Sequence, residues 1–167
     1  MRNGGRCLKL EKKVRSLRQL KKITDSLKKA GEKIVFTNGC FDILHYGHVK
    51  YLEEAKNKGD CLVVAVNSDN SVKKLKGANR PLVSQKYRQK VLAGLECVDF
   101  VVLFGEETPL KTIKALRPDV LIKGGDWKEK DIVGSDFVKS HGGKVFSIGF
   151  VKGFSTSALI KKIKKGK

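Results

Sequence analysis

The sequence predicts an α/β fold in which a mainly parallel, five-stranded sheet lies between two layers of helices, a three-layer sandwich. Short apolar runs rich in β-branched residues alternate along the chain with segments of helical periodicity. The run at 61–66 is continuously apolar, which is typical of strands buried on both faces of a parallel sheet. Turn-forming residues separate the two kinds of segment, so the alternation predicts strands connected by helices.

A basic helix is predicted ahead of the first strand. Its apolar positions share one face: Leu17, Leu20, Ile23 and Leu27. Gly31 is a typical helix stop, and residues 1 to about 8 are expected to be frayed. We therefore predict a basic helical extension at 1–32 and a second unit, the main domain, at 33–167.

The same patterns predict the remaining elements. Strands are expected at 33–37, 61–66, 100–104, 119–122 and 144–148. Helices are expected at 48–58, from Ser84 to about 96, from Thr108-Pro109 to before Pro118, at 135–140, and from Ser155 or Thr156 onward. Residues 67–79 are expected to form a loop or an irregular helix. Ligands of parallel sheets bind beyond the carboxyl ends of the strands, so the loops that follow the strands are the candidate sites.

Composition excludes several classes of protein. The chain has 167 residues, of which 40% are hydrophobic and 32% charged, and this indicates a folded domain. No apolar run is long enough to cross a bilayer, and the basic N-terminus lacks the apolar stretch of a signal peptide. We therefore expect a cytoplasmic protein that does not enter membranes. The four cysteines form no CxxC pair and are expected to be reduced.

The net charge of +19 has two interpretations: nucleic-acid binding, or a lysine-rich surface on an enzyme with phosphate substrates. The charge is dense at 2–33 and 161–167, and terminal basic stretches are usually solvated. Aromatic residues make up 7% of the chain and do not alternate with the basic runs, as a platform for single strands would require. This pattern disfavours nucleic acid as a partner, although charge alone does not decide.

The motif His45-Tyr46-Gly47-His48 follows the first predicted strand and begins a helix. Histidines three positions apart share a face of the first helical turn. A helix N-terminus favours a bound phosphate, and two imidazoles there can donate hydrogen bonds as negative charge accumulates on it. Two ordinary surface histidines are an equally good interpretation of the motif alone. Zinc is disfavoured because the remaining histidine, His141, lies on a late helix.

The stretch at 36–48 resembles the signature of the HxGH nucleotidyltransferase superfamily, the cytidylyltransferase-like enzymes. The resemblance implies a Rossmann-like fold and transfer of a nucleoside monophosphate from a triphosphate, with release of pyrophosphate. The segment Gly153-Phe154-Ser155-Thr156-Ser157 resembles the second signature, whose hydroxyls and helix N–H groups hold the β- and γ-phosphates. By itself this segment is only a good helix cap. Lys161 and Lys162 stand where some branches have an arginine.

Further stretches between 33 and 165 resemble the adenylyltransferase domains of ADP-heptose synthases. They lie at 67–69, 75–77, 80–81, 117–127, 132–134 and 142–145. The resemblance implies transfer of AMP from ATP to D-glycero-β-D-manno-heptose 1-phosphate, with Mg²⁺ bound mainly through the phosphates, and a homodimer. The alternatives are a glycerol-3-phosphate-type cytidylyltransferase and a basic nucleic-acid-binding α/β protein without catalysis.

The resemblance also implies roles for individual residues. His45 and His48 are the expected catalytic residues. The expected nucleotide contacts are Thr37, Asn38, Gly39, Cys40, Phe41, Arg88, Lys123, Gly124, Asp126, Ser155, Thr156 and Ser157. The expected substrate contacts are Asp42, Lys50, Lys76 and Trp127, with Lys74 as a further candidate. No direct protein ligand to a metal is expected.

Several of these assignments have simpler alternatives. Arg88 could form a surface ion pair on its helix, and Asp42 could cap the turn before the histidine helix. The loop Gly124-Gly125-Asp126-Trp127 could be an ordinary glycine turn with a buried tryptophan. We favour a functional loop because it follows a strand, and glycines there let the backbone approach a base or a sugar.

Overall fold

The computed structural model describes residues 10–149, 151 and 153–166, so the expected fraying of residues 1 to about 8 lies outside the described residues. The helices are α1 (Leu10–Lys13), α2 (Leu17–Lys29), α3 (Tyr46–Lys56), α4 (Asp69–Lys76), α5 (Gln85–Ala93), α6 (Leu110–Leu116), α7 (Ser135–Ser140) and α8 (Thr156–Lys164). The strands are β1 (Val14–Arg15), β2 (Ile34–Gly39), β3 (Cys61–Asn67), β4 (Phe100–Phe104), β5 (Val120–Gly124) and β6 (Lys144–Ile148). A short 3₁₀ helix spans Glu129–Asp131.

The strands form one sheet in the order β1-β4-β3-β2-β5-β6, and each adjacent pair is parallel. The sheet has six strands, so the prediction of five is wrong. The additional strand β1 is two residues long and pairs Val14 with Val101 and Arg15 with Val102. Two residues are too few to show a strand pattern, which is why the sequence did not reveal it.

Alternate residues of the central strands build two apolar cores, one on each face of the sheet. In β3, Val63 and Ala65 belong to the core that also contains Leu20 of α2 and Leu116 of α6. Their neighbours Val64 and Val66 belong to the core formed with α3 and α5. Both faces of this strand are buried, which explains its continuously apolar sequence. The helices therefore form one layer on each face of a parallel sheet, as predicted.

Helix α2 packs against the core that contains Leu116. Leu20 of α2 is fully buried, and the Lys28 ammonium donates a hydrogen bond to the carbonyl oxygen of Leu116 at 2.7 Å. The segment at 10–32, which includes β1, therefore supplies an edge strand of the sheet, a core side chain and a long-range hydrogen bond. None of the described helices is both long and apolar enough to cross a membrane.

Some elements differ from their predicted form. The segment at 67–79, expected as a loop or an irregular helix, contains the regular helix α4, whose first turn is capped by the Ser68 hydroxyl. Helix α5 follows Ser84 as predicted but ends at Ala93 rather than near 96. The position before α6 is Pro109, one residue later than the predicted cap Thr108.

The strand order reverses between β2 and β5. Strands β3 and β4 continue the sheet on one side of β2, whereas β5 and β6 continue it on the other. In such sheets, the connections from the two central strands leave to opposite faces and open a crevice at their carboxyl ends. The loops that begin at Cys40 and at Gly125 lie at this crevice, so the topology selects them as the candidate site.

Candidate active site

The two motif histidines lie at the start of α3. His45 is the residue before the helix and has an extended backbone, and Tyr46 is the first helical residue. The imidazole rings of His45 and His48 are stacked, with their centroids 3.8 Å apart. The Nδ1 atoms of both rings are buried and have no hydrogen-bond partner within the described part of the chain. The stacking brings two imidazoles together at a helix N-terminus, where free N–H groups favour an anion.

Both imidazoles are kept uncharged by their surroundings. Burial, and then the neighbouring ring of His45, lower the pKa of His48 from 6.5 to about 4. Burial also lowers the pKa of His45. At neutral pH each ring therefore carries a single N–H, which can donate a hydrogen bond without bringing a formal positive charge.

The second motif reaches the same place from the other end of the chain. The ring of Phe154 packs edge-on against Tyr46, with centroids 5.3 Å apart. The Thr156 hydroxyl donates to the carbonyl oxygen of Ile43 at 3.5 Å, and the Ser155 side chain caps the start of α8. The N-termini of α3 and α8 therefore lie close together, and both offer N–H groups that suit phosphate oxygens.

A small cleft opens beside the carboxyl ends of β2 and β5, with a volume of about 110 Å³. It is lined by Asn38, Pro109, Lys123, Trp127, Asp131, Ile132 and Val133. Burial lowers the pKa of Lys123, and the charge of Lys76 lowers it further. Three of the predicted contacts, Asn38, Lys123 and Trp127, therefore line this cleft.

The loop after β5 is held in place by β6. The Ser147 hydroxyl donates to the carbonyl oxygen of Gly125 and accepts from the backbone N–H of Trp127 at 3.1 Å. Gly125 has a φ of 112°, a conformation that favours glycine. Asp126 is exposed and Trp127 is 49% exposed, so the alternative of a buried tryptophan is wrong. This fixed turn thus presents the side chains of Asp126 and Trp127 at the carboxyl edge of the sheet.

Arg88 is placed differently from both interpretations of the sequence. Its residue surface is only 1% exposed. The guanidinium donates to the carbonyl oxygens of Val83, Cys40 and Asn67 and to the Asp69 carboxylate. A guanidinium has five N–H groups, and the protein itself uses most of them here. The alternative is therefore wrong in placing Arg88 at the surface, since its ion pair with Asp69 involves a buried guanidinium. These bonds to the protein do not favour the predicted contact with the triphosphate, which stays a prediction.

Asp42 is likewise used by the protein. It is 3% exposed and accepts hydrogen bonds from the N–H groups of Leu82 and Val83, both at 2.8 Å, and from Arg80. Burial alone would raise the pKa of the Asp42 carboxyl, but these hydrogen bonds together lower it below its ordinary value. The carboxylate fixes the segment before α5, so the predicted substrate contact and the predicted cap of the α3 turn are both corrected.

The other predicted contacts differ in how far their side chains are exposed. The Thr37 hydroxyl is fully buried and bonded to the Tyr51 hydroxyl, so it supports β2 and does not face a ligand. Lys50 forms an ion pair with Glu54 at 3.7 Å along α3. The exposed candidates on α4 and α8 are Lys74, Lys76, Ser157, Lys161 and Lys162.

Sequence reasoning gave no role to a polar network that joins the end of β3 to α4 and α5, although the stretch at 67–69 is one of those that carry the resemblance. The Asn67 amide donates to the Ser71 hydroxyl at 2.9 Å, and the Asp69 carboxylate accepts from the backbone N–H of Gln85 at 2.7 Å. Asn67 ends β3 and Asp69 begins α4, so their place at the carboxyl edge was a usable signal. Their partners on α4 and α5 are set by packing, which no local pattern reveals.

The described residues contain no group of three or more His, Cys, Asp or Glu side chains arranged to hold a metal ion. Asp42, in the loop before the histidine motif, already accepts hydrogen bonds from the protein. This donor set does not fit a metal that is bound directly by side chains of the described part of the chain.

The cytidylyltransferase-like family matches this chain over residues 36–149. The chain belongs to this family. The matched region of this cytidylyltransferase-like chain includes the histidine motif and the loop after β5, whereas the Ser155-Thr156 segment lies beyond it.

Curated relatives match the cytidylyltransferase-like chain beyond that region. The Bifunctional protein HldE of Geotalea uraniireducens is 52% identical over 154 residues, and that of Helicobacter pylori is 55% identical over 146 residues. These alignments cover 92% and 87% of the chain but 31% of each relative. The chain therefore spans about a third of the length of these relatives.

Two solved structures are similar to the cytidylyltransferase-like chain. The lipopolysaccharide core biosynthesis protein of Thermoplasma volcanium has a TM-score of 0.58 at 31% identity, covering 73% of this chain and 98% of that one. The pantoate-beta-alanine ligase of Francisella tularensis has a TM-score of 0.61 at 15% identity, covering 90% of this chain and 76% of that one. The second similarity shows a shared fold alone.

Proposed function

We propose that this chain transfers AMP from ATP to D-glycero-β-D-manno-heptose 1-phosphate, giving ADP-heptose and pyrophosphate. The observation that carries the proposal is the contact between the histidine motif and the start of α8, which joins the two phosphate-binding signatures at one edge of the sheet. Identities of 52% and 55% to proteins named HldE, and the similarity to a lipopolysaccharide core biosynthesis protein, support the choice of reaction.

In the proposed reaction, ATP lies across the crevice between the ends of β2 and β5. A phosphate oxygen of the sugar 1-phosphate attacks the α-phosphorus and forms the new P–O bond. The bond from the α-phosphorus to the bridging oxygen breaks, and pyrophosphate leaves with the electron pair. No general base is required, because the attacking phosphate is already anionic at neutral pH. Catalysis then consists of positioning and of stabilising charge.

The histidine pair supplies that stabilisation in our proposal. The uncharged rings of His45 and His48 each donate one hydrogen bond to the α-phosphate as negative charge accumulates on its oxygens. The capped turn at Ser155 and Thr156 receives the leaving pyrophosphate, aided by the N-terminal N–H groups of α8. Arg88 has no part in this contact because its guanidinium is buried and bonded to the protein.

We propose that Mg²⁺ reaches the site with ATP, bound mainly through the phosphates. When bound, it would offset part of the triphosphate charge. The resemblance to nucleotidyltransferases implies this route. The side chains named above bind and orient the substrates, and no step is assigned to the metal.

A pyrophosphate-release screen tests the proposal. ATP and CTP are each offered with heptose 1-phosphate, glycerol 3-phosphate and other sugar 1-phosphates, and the nucleotide product is identified by mass spectrometry. We expect the highest kcat/KM for ATP with the heptose 1-phosphate. A preference for CTP with glycerol 3-phosphate would replace the proposal by the cytidylyltransferase alternative. No pyrophosphate from any pair, together with steeply salt-dependent binding to DNA or RNA, would favour the non-enzymatic alternative.

Three further expectations remain predictions for this chain. They are a cytoplasmic location, a homodimer, and the division between an extension at 1–32 and a domain at 33–167. Light scattering of the purified protein measures the mass in solution and therefore tests the homodimer.

A further inference from the structure

Phe41 has its backbone in the left-handed region, with a φ of 46°. This conformation is unfavourable for a bulky residue because the Cβ atom approaches the following carbonyl oxygen. Phe41 lies in the loop between β2 and the histidine motif, and it is 7% exposed. Such a conformation persists only where the surrounding structure holds it, and such conformations are enriched at functional sites.

The Phe41 ring is in contact with the histidine pair. It packs edge-on against His48, with centroids 5.2 Å apart and ring planes inclined by 62°. On the strand before it, a Cβ atom on Gly39 would lie 2.9 Å from the same ring, so only glycine leaves the ring this position. His48 is therefore enclosed by the Phe41 ring and by the stacked ring of His45.

Hydrogen bonds of buried charged groups hold the loop on both sides of Phe41. Before it, the carbonyl oxygen of Cys40 accepts a hydrogen bond from the Arg88 guanidinium. After it, the Asp42 carboxylate accepts from the backbone N–H groups of Leu82 and Val83, both at 2.8 Å. The contacts are reciprocal: a cation of α5 binds the histidine loop, and an anion in that loop binds the segment before α5.

Arg88 is well placed to fix this loop relative to the sheet. The same guanidinium donates to the carbonyl oxygen of Asn67 at 2.7 Å and to the Asp69 carboxylate at 2.9 Å. It thus joins the loop after β2 to the end of β3 and to the start of α4. Charged hydrogen bonds that are shielded from water are strong and directional, so they can hold an unfavourable backbone conformation.

We infer that Arg88 and Asp42 are positioning residues that hold Phe41 in its left-handed conformation, and that the Phe41 ring in turn holds His48 in place. This inference deepens the proposed function and rests on it for the role of His48. It gives Arg88 an effect on AMP transfer without any contact with the nucleotide.

The exchange Arg88→Lys tests this inference. Lysine keeps the charge but presents one ammonium in place of a planar fork, so it cannot satisfy several separated carbonyl oxygens. We expect kcat to fall about tenfold or more, because small displacements of catalytic groups are costly, while the Kd of ATP changes less than about threefold. A weaker Kd of ATP with unchanged kcat would instead indicate direct contact with the triphosphate. The matched control is Lys90→Arg, an exposed exchange of cations on the same helix.

A double-mutant cycle tests whether Arg88 acts through Phe41. Phe41→Leu removes the ring edge from His48 while keeping an apolar side chain. If the effect of Arg88 passes through this ring, the double variant should have a kcat close to that of the more impaired single variant. Effects that multiply in the double variant would show independent action and would overturn the inference.

An NMR titration of the His48 ring provides a readout that does not require activity. In both variants, water should reach the ring and its midpoint should rise from about 4 toward 6.5. An unchanged His48 titration in both variants overturns the inference, even if AMP transfer is observed.

If the unaltered protein transfers no AMP, the proposed function fails, while this titration still tests the contact between Phe41 and His48. If Arg88→Lys does not fold, Phe41→Leu carries the test because it leaves the buried hydrogen bonds intact.

Discussion

Gly47 and Phe154, which are far apart in the chain, lie so close that a Cβ atom on Gly47 would be 3.2 Å from the Cβ of Phe154. The same added atom would be 3.1 Å from the His45 ring. Glycine at this position therefore allows the histidine motif and the C-terminal motif to meet. The proposed reaction depends on this meeting, because one triphosphate has to contact both.

Gly47→Ala should reduce AMP transfer. The added methyl group must displace either the His45 ring or the segment at Phe154, and we expect kcat to fall about tenfold or more. Steady-state kinetics measure the loss, and circular dichroism confirms the fold. Gly105→Ala is the matched control, since its Cβ would lie 3.6 Å from the Ser68 hydroxyl, an ordinary contact. Full activity in Gly47→Ala would mean that this close approach is not needed for transfer.

Replacement of either motif histidine by alanine should lower kcat about a hundredfold or more, on the scale of losing one oxyanion donor. The reason is that each uncharged ring provides an N–H to the α-phosphate in our proposal. Pyrophosphate release under saturating substrates measures the effect. The assignment would have to be abandoned if the double variant His45→Ala/His48→Ala kept full activity.

Stability should depend on pH through His48. Its pKa is about 4 in the folded protein, against 6.5 for a histidine in an unfolded chain, so the unfolded state binds more protons between these values. The free energy of unfolding should therefore decrease as the pH falls from about 6.5 toward 4. Urea denaturation at several pH values measures this dependence. His48→Asn should make it weaker, and a slope equal to that of the unaltered protein would contradict the prediction.

Trp127 should report on ligand binding at the cleft. It is the single tryptophan of the sequence, so emission excited selectively from tryptophan observes this position alone. We expect ATP or the sugar phosphate to change its emission.

Trp127→Ala should raise the KM of at least one substrate about tenfold, the scale of losing one well-placed contact of about 1.4 kcal/mol. The unfolding free energy should change by no more than about 0.5 kcal/mol, because the side chain is half-exposed. Tyr87→Ala, an exposed aromatic outside the cleft, is the control, and unchanged KM values for both substrates would exclude Trp127 from binding.

Leu20→Ala should destabilise the protein by about 2–5 kcal/mol, because Leu20 is fully buried in the core beside Leu116. Urea denaturation measures the change. The exposed neighbour Arg18→Ala should stay within about 0.5 kcal/mol. A loss below about 0.5 kcal/mol in Leu20→Ala would show that α2 is not part of the cooperative unit.

Several elements could be predicted because their signals are local. The strands at 100–104 and 144–148 and the helix at 135–140 have the predicted bounds. Strand β1 and the regular helix α4 could not be predicted in the same way. The first is too short to show a pattern, and the second has a polar sequence whose helical form depends on the cap at Ser68 and on packing against β3.

The sequence by itself determined the class of fold, the family, and the loops to which we assign the proposed chemistry, because alternation and short motifs are properties of neighbouring residues. Only the tertiary structure decided which polar side chains in those loops are free for a ligand. Arg88 and Asp42 were predicted to face substrates, yet both are buried and bonded to the protein. Their partners come from separate segments of the chain, and the direction of a side chain depends on which of those segments packing brings within reach.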